Sequence, residues 1–298
     1  MTIEVRTVGG LDDLRQWVET RNAASSDTFT TEMRVLVRAL ELDYVDLIAT
    51  DGGGPVGTAF VSGDPWTAEG RSWFDVRVPR EHRGRGVGTA LFGAVAEHAR
   101  GMAQASLRCS ARGDDEATLA FLERRGFRTV ARHDQVSREL AGGDVPAAAP
   151  PPGMSVDWLV GDPGLLAGMY ELARVSPSVQ GGRPAVRNLG EAQWRTYELG
   201  SPLVRLDVTA VARSGSDVVG YAVVQDFPGY RALFHRAVVP PEATEITRAL
   251  LGVQAAHAAQ SGIDVLLAVP RHDELATLFA GLGYEPRKAW LELEATLD

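Results

Sequence analysis

Arg71, Arg77, Arg80, Arg83 and Arg85 crowd one short segment in which Gly84, Gly86 and Gly88 alternate with other residues. That combination is suited to holding an anion. Glycine lets the backbone come close to a ligand, and guanidinium groups bind phosphate through paired donors. A β-type run, Phe74–Val78, precedes the segment and breaks at Pro79; after it Val87, Ala90, Leu91, Ala94 and Val95 recur at helical spacing. The first N–H groups of a helix have no partner inside it, and the helix dipole favours negative charge there. Strand, basic glycine turn and helix in that order predict a phosphate site, a local positive patch on a chain whose formal charge is −9.

The glycine spacing narrows the choice. Arg83–Gly88, R-G-R-G-V-G, is neither the G-x-G-x-x-G of a dinucleotide fold nor the G-x-x-x-x-G-K-[ST] of a triphosphate loop, which disfavours another nucleotide-containing ligand. From Val78 to Gly88, V-P-R-E-H-R-G-R-G-V-G closely resembles the acyl-CoA pyrophosphate loop of the GNAT family of N-acetyltransferases, [QR]-x-x-G-x-[GA] behind a strand ending in valine. Downstream, Asp115–Phe127 resembles that family's N-x-x-A-x-x-x-Y-x-x-x-G-F. Gly126 and Phe127 match, Asp115 stands where the pattern has asparagine, and Leu122 where it has tyrosine.

The elements around these motifs read as an α/β chain. Thr2–Val8 is a predicted strand, Leu11, Leu14, Trp17 and Val18 mark a helix, Asn22–Thr28 a loop, and Met33, Leu36, Val37 and Leu40 a second helix. Tyr44–Ala49 and Val56–Ser62 form strands joined by a D-G-G-G-P turn. Ala105–Cys109 is another strand, Asp114 or Asp115 caps a helix ended by Gly126, and Thr129–Leu140 supplies the unit's last strand. Ala141–Gly153, rich in proline, alanine and glycine, reads as a linker between domains at 1–140 and 154–298.

The order then repeats. Met154–Val160 is a strand, Leu165–Ala173 and Glu191–Leu199 are helices, and Leu206–Ala212 with Val218–Val224 is a hairpin. Val219-Gly220-Tyr221-Ala222 echoes Val56-Gly57-Thr58-Ala59, and Leu233–Val239 echoes the strand before the phosphate loop. A helix about Ile246–Val253, a strand at Ile263–Val269 and a helix closed by Gly283 follow. Pro79 to Gly126 spans 47 positions and Pro240 to Gly283 spans 43, so the second copy is shorter by four, a loss assigned to the loop. There Pro240 and Pro241 lack N–H donors and Glu242 and Glu245 bring negative charge, so no CoA is expected in the usual mode. The second copy is expected to support the first, shape its substrate cleft or form a homodimer.

Composition sets outer limits. At 45% hydrophobic and 23% charged, the 298 residues suit two ordinary globular domains, with no apolar run of bilayer length and no signal-peptide plan. The chain reads as cytoplasmic with no membrane partner, and its acidity argues against nucleic acid. Cys109, the one cysteine, excludes an internal disulfide or a thiolate metal site and reads as a buried strand residue. Lys288 is the only lysine against 29 arginines, a bias that reads as a GC-rich coding background rather than a functional choice.

The resemblance implies two tandem GNAT-like domains, each a mixed central sheet flanked by helices, the second degenerate, and acyl transfer from CoA, acetyl-CoA by expectation, to a small-molecule or peptide amine. It implies that pantetheine lies along Val76, Arg77 and Val78. Gly84, Gly86, Val87, Gly88 and Thr89 would hold the pyrophosphate through main-chain N–H groups, with Arg83 and Arg85 adding charge and Asp115 and Leu122 lining the donor site. A backbone N–H near Val78 would stabilise the oxyanion. An alkylamine, with a pKa of about 10, must lose a proton before attack. Asp75, Asp64, Glu32, Glu69 and Ser110 are candidates and none is singled out. Asp75 faces opposite Val76 and Val78 and is read first as exposed or salt-bridged, and His82 as a phosphate neighbour or an exposed residue. Family members often use the helix tyrosine to protonate the leaving thiolate. Leu122 cannot, which keeps a non-catalytic acyl-CoA binding or sensing protein as the alternative to an N-acyltransferase.

Overall fold

The computed structural model describes residues 2–24, 44–64, 70–140, 149–176, 189–201, 203–226, 232–239, 243–270 and 273–297. The helix expected about Met33–Leu40, linker residues 141–148, Glu32, Glu69, Trp66 and Pro240–Glu242 lie outside these. The chain forms two compact units, Met1–Arg132 with Leu291–Asp298, and His133–Trp290.

The first unit contains β1 (Glu4–Thr7), α1 (Leu11–Ala23), β2 (Tyr44–Thr50), β3 (Pro55–Gly63), β4 (Arg71–Arg77), α2 (Val87–Gly101), β5 (Ser106–Arg112) and α3 (Glu116–Glu123). Strands β1 to β4 pair antiparallel in sequence order, and β4 and β5 pair in parallel. Alternation along the strands gives the sheet two faces. Leu47, Ala59, Val61 and Phe74 pack with Val87, Leu91, Val95 and Ala99 of α2, whereas Ile48 packs with Leu14, Trp17 and Val18 of α1. Asn22 and Ala23, expected in a loop, close the last turn of α1, and residues 25–28 of that expected loop lie outside the described residues.

The second unit repeats the plan. It holds the end of β6 (Arg128–Glu139), β7 (Met154–Trp158), α4 (Leu165–Val175), α5 (Glu191–Leu199), β8 (Ala210–Ser214), β9 (Asp217–Asp226), β10 (Ala232–Val238), α6 (Thr244–Gln260), β11 (Val265–Ala268), α7 (Asp273–Gly281) and the start of β12 (Glu285–Thr296). The hairpin expected from Leu206 begins only at Ala210, since Leu206–Val208 is a single 3₁₀ turn.

One glycine in each unit reports the shared geometry. A Cβ on Gly57 would lie 2.8 Å from Val87 Cγ1 and 2.9 Å from Leu91 Cδ1; on Gly220 it would lie 2.8 Å from Ile246 Cγ2 and 3.1 Å from Leu250 Cδ1. Both glycines let a helix ride close on the sheet, and the echoed tetrapeptides occupy equivalent places. This equivalence corrects the position of the shortening. Val87 follows Val78 by nine positions and Ile246 follows Val239 by seven, so the loop accounts for two of the four residues and the rest is lost further on.

The largest difference from the sequence reading concerns the last strands. Only the first residues of β6 belong to the first unit; from His133 the strand runs in the second, where Val136–Glu139 pair with β11. The first sheet is closed beside β5 by the end of β12. Leu293 is buried in the first core, with Leu291, Ala295 and Leu297 packed on it.

Candidate functional site

The pairing of β4 with β5 stops early. Arg71, Ser72 and Trp73 pair with Ser106, Leu107 and Arg108, and beyond them neither Phe74–Arg77 nor Cys109–Arg112 has a ladder partner across this seam. Main-chain donors and acceptors are therefore open to a ligand where β4 approaches its end. Val78, expected as the strand's last residue, lies just past it.

The chain next turns through Pro79 and a single 3₁₀ turn, Arg80–His82, in which His82 N donates to Pro79 O at 2.9 Å. Gly84 and Gly86 follow at φ +73° and +88°, left-handed conformations in which an L side chain is strained. Gly86 is the N-cap of α2, and no side chain caps that end. The N–H groups of Val87, Gly88 and Thr89 thus open a helix with no side chain competing for them. A Cβ at Gly84 would meet nothing within 4 Å. The turn is exposed from Arg83 to Gly86, room enough for the diphosphate of a CoA-type ligand, which these residues fit.

The arginines divide by role. Arg83 Nε donates to Val78 O at 3.0 Å, which ties the turn to the end of β4. Arg85 lies 3.3 Å from the half-buried His82 and 3.6 Å from Asp51. Arg77 is turned to Asp75, with Nε at 2.9 Å from a carboxylate oxygen. Asp115 caps α3, accepting from Thr118 N at 3.1 Å and from its hydroxyl at 2.8 Å. Leu122 is buried in the first core.

Of the proposed bases, Asp75 is salt-bridged. Its carboxylate also takes Arg21 Nη2 at 2.6 Å, and Arg21, buried in α1, lies over the rings of Trp17 and Phe60. Burial alone would push the pKa of Asp75 up, but the charges of Arg21 and Arg77 outweigh it and hold the carboxyl below the usual range. A carboxyl held below its usual range by two guanidinium groups is a poor proton acceptor and a good anchor. Because the folded value lies below the unfolded one, this group's stabilisation is present above the unfolded pKa of about 3.9 and lost as pH falls through the folded value. Asp75→Asn is expected to lower the urea midpoint at pH 7 and to flatten its decline below pH 4; an unchanged midpoint at pH 7 would exclude the anchor role. Ser110 is exposed on β5 past the end of the pairing, Asp64 is half-buried, and Cys109 is buried, its thiol pushed up by desolvation, with Asp75 adding to it.

The second unit offers a different surface. Its α6 starts at Ala243 with φ −96°, not at a left-handed glycine, and the exposed Glu245 lies in the first turn 3.6 Å from Arg248. Ile246 and Leu250 bury the helix start against the sheet.

One residue that sequence reasoning passed over lies at the first site. Arg125, just after α3, donates to Thr89 Oγ1 at 2.8 Å and stacks 3.5 Å from the centroid of Phe121. Its signal, the second arginine of E-R-R-G-F, was hidden by the chain's general preference for arginine.

The site is thus a mixed sheet with an interrupted parallel pair, and a glycine turn opening a helix beside it. Residues 12–127, most of the first unit, match the acetyltransferase (GNAT) family. The chain as a whole has the fold of a tandem GNAT protein from the clavulanic acid biosynthesis pathway, at 18% identity and TM-score 0.78 over 100% of this chain and 99% of that one. A GCN5-related N-acetyltransferase from Sphaerobacter thermophilus is similar at 16% identity and TM-score 0.74, covering 99% and 96%. The N-myristoyltransferase of Saccharomyces cerevisiae shares the fold at 10% identity and TM-score 0.68, covering 98% and 78%. No curated protein matches the sequence. No helix among the described residues is long and apolar enough to cross a membrane.

Proposed function

We propose that the chain is an acyl-CoA-dependent N-acyltransferase, with acetyl-CoA as donor, whose CoA is held by the first unit alone. The observation that carries this is the left-handed Gly86 opening α2 next to the unpaired stretch of β4, with no counterpart at Ala243. Bound acyl-CoA supplies an activated thioester. The protein's part is to offer the open edge of β4 to the pantetheine arm and the amides of Val87–Thr89 to the diphosphate, with Arg83 and Arg85 supplying charge. Arg21 and Arg77 hold Asp75 ionised and paired, so it is left as an anchor, and water takes the proton of an incoming ammonium group. A second reading, binding without turnover, is favoured by Leu122, whose buried side chain offers no proton to a departing thiolate.

Mixing the full chain with acetyl-CoA and a panel of amines while free thiol is measured separates the two. Thiol release that depends on a particular amine supports the transferase. Thermal stabilisation by acetyl-CoA with no amine-dependent thiol supports the binder, and absence of both would sink the acyl-CoA assignment.

A further inference from the structure

Arg125 stands apart from most arginines of its unit. Arg6, Arg71, Arg77, Arg85, Arg108 and Arg112 each have a carboxylate partner. Arg125 forms no ion pair among the described residues, although its guanidinium is held in one place. Nη1 donates to Phe121 O at 2.9 Å, Nη2 donates to Thr89 Oγ1 at 2.8 Å, and the planar group lies on the Phe121 ring with Phe92 beyond it at 5.4 Å. Two of its five N–H groups are thus spent and three are unspent. Partial burial, with the neighbouring Arg124 charge, weakens its hold on the proton, which is the mark of a cation lacking a counter-ion.

Its position relative to the phosphate turn is fixed by Thr89, third residue of α2. Because Arg125 occupies a lone pair of the Thr89 oxygen, the hydroxyl hydrogen is left to point elsewhere, as a donor. Two helices thereby place a guanidinium fork and a hydroxyl donor beside the amides that open α2, and Phe121 also lies 3.5 Å from where a Cβ of Gly88 would be. We propose that Arg125 is a phosphate-binding residue of the donor site, pairing with a phosphate of CoA and orienting Thr89 toward it. This rests on the acyl-CoA reading and adds to it a cation contributed by α3's end, outside the glycine turn. CoA has two sources of that chemistry, its diphosphate and its 3′-phosphate.

The test is calorimetric titration of the full chain with CoA and with 3′-dephospho-CoA, for wild type, Arg125→Met, Thr89→Val and Arg124→Met. Methionine keeps the apolar stem on Phe121, and Arg124→Met removes the same charge from an exposed position with no contact to Thr89. A charged hydrogen bond of this kind is worth about tenfold or more in affinity. Arg125→Met is expected to weaken CoA by about that factor, Thr89→Val by less, and Arg124→Met little. A loss that vanishes with dephospho-CoA assigns Arg125 to the 3′-phosphate; a loss with both ligands assigns it to the diphosphate. Unchanged CoA affinity in a folded Arg125→Met, or equal losses in the two arginine variants, overturns the proposal while leaving the donor reading intact. Wild type that binds neither ligand overturns both.

Discussion

Gly86→Glu is expected to reduce CoA affinity more than a hundredfold, whereas Ala243→Glu leaves it unchanged. Gly86 sits at φ +88°, ψ −6° and caps α2. An L residue there costs about 1–2 kcal/mol in backbone strain, which either lowers stability or turns the amides away from the ligand. The space is open, with Ile3 Cδ1 the nearest atom to a new Cβ at 3.7 Å, so the loss is not a steric one. Charge does most of it. A carboxylate about 4 Å from a phosphate at an effective dielectric of about 20 is repelled by about 4 kcal/mol, and each 1.4 kcal/mol is tenfold. Gly86→Ala separates the contributions, because it carries the strain alone and is expected to lose about tenfold. At Ala243 the backbone is already at φ −96°, and a carboxylate at a helix start is favoured. Calorimetry on the full chain measures all three. Equal losses at positions 86 and 243 would refute the assignment of CoA to the first unit.

The strand, glycine turn and helix were legible because they are local. Gly84 and Gly86 follow a strand and precede a helix that Gly88 helps to open, all within a dozen residues that also hold arginines, so spacing alone predicts the turn. The repeat was legible for a similar reason, since Gly57 and Gly220 each sit where a helix presses on a strand. What spacing could not convey was pairing at long range. Asp75 could be placed opposite Val76, but not against Arg21, which lies 54 positions earlier. Arg125 meets Thr89 from 36 positions away, and nothing in E-R-R-G-F marks that meeting. The outer strands are a further case of pairing at long range. Thr129–Leu140 read as a strand of the first unit and nothing was read for 285–297, because only tertiary packing decides which sheet receives which residues.

That exchange carries the second large expectation. Leu293→Ala is expected to destabilise the first unit by about 2–5 kcal/mol, the cost of removing a buried leucine from a packed core. Deleting 291–298 removes more: the apolar contacts of Leu291, Ala295 and Leu297, and Glu294, which accepts from Ser106 Oγ at 2.7 Å, Arg108 Nη2 at 2.5 Å and Arg71 Nε at 3.2 Å. With Glu294 gone, Arg71 and Arg108 lose their shared carboxylate, and β5 gains a bare edge. Since a domain's whole stability is about 5–15 kcal/mol, the truncated chain should lose the cooperative unfolding of its first unit and with it CoA binding. A fragment of residues 1–140 lacks the same strand and should behave likewise. Its failure to bind CoA would reflect the missing strand rather than the cradle, so the donor site has to be assayed on the full chain. Circular dichroism melts of Leu293→Ala, of the truncated chain and of the fragment decide the point: a fragment that melts cooperatively at the full chain's midpoint would show that β12 is dispensable.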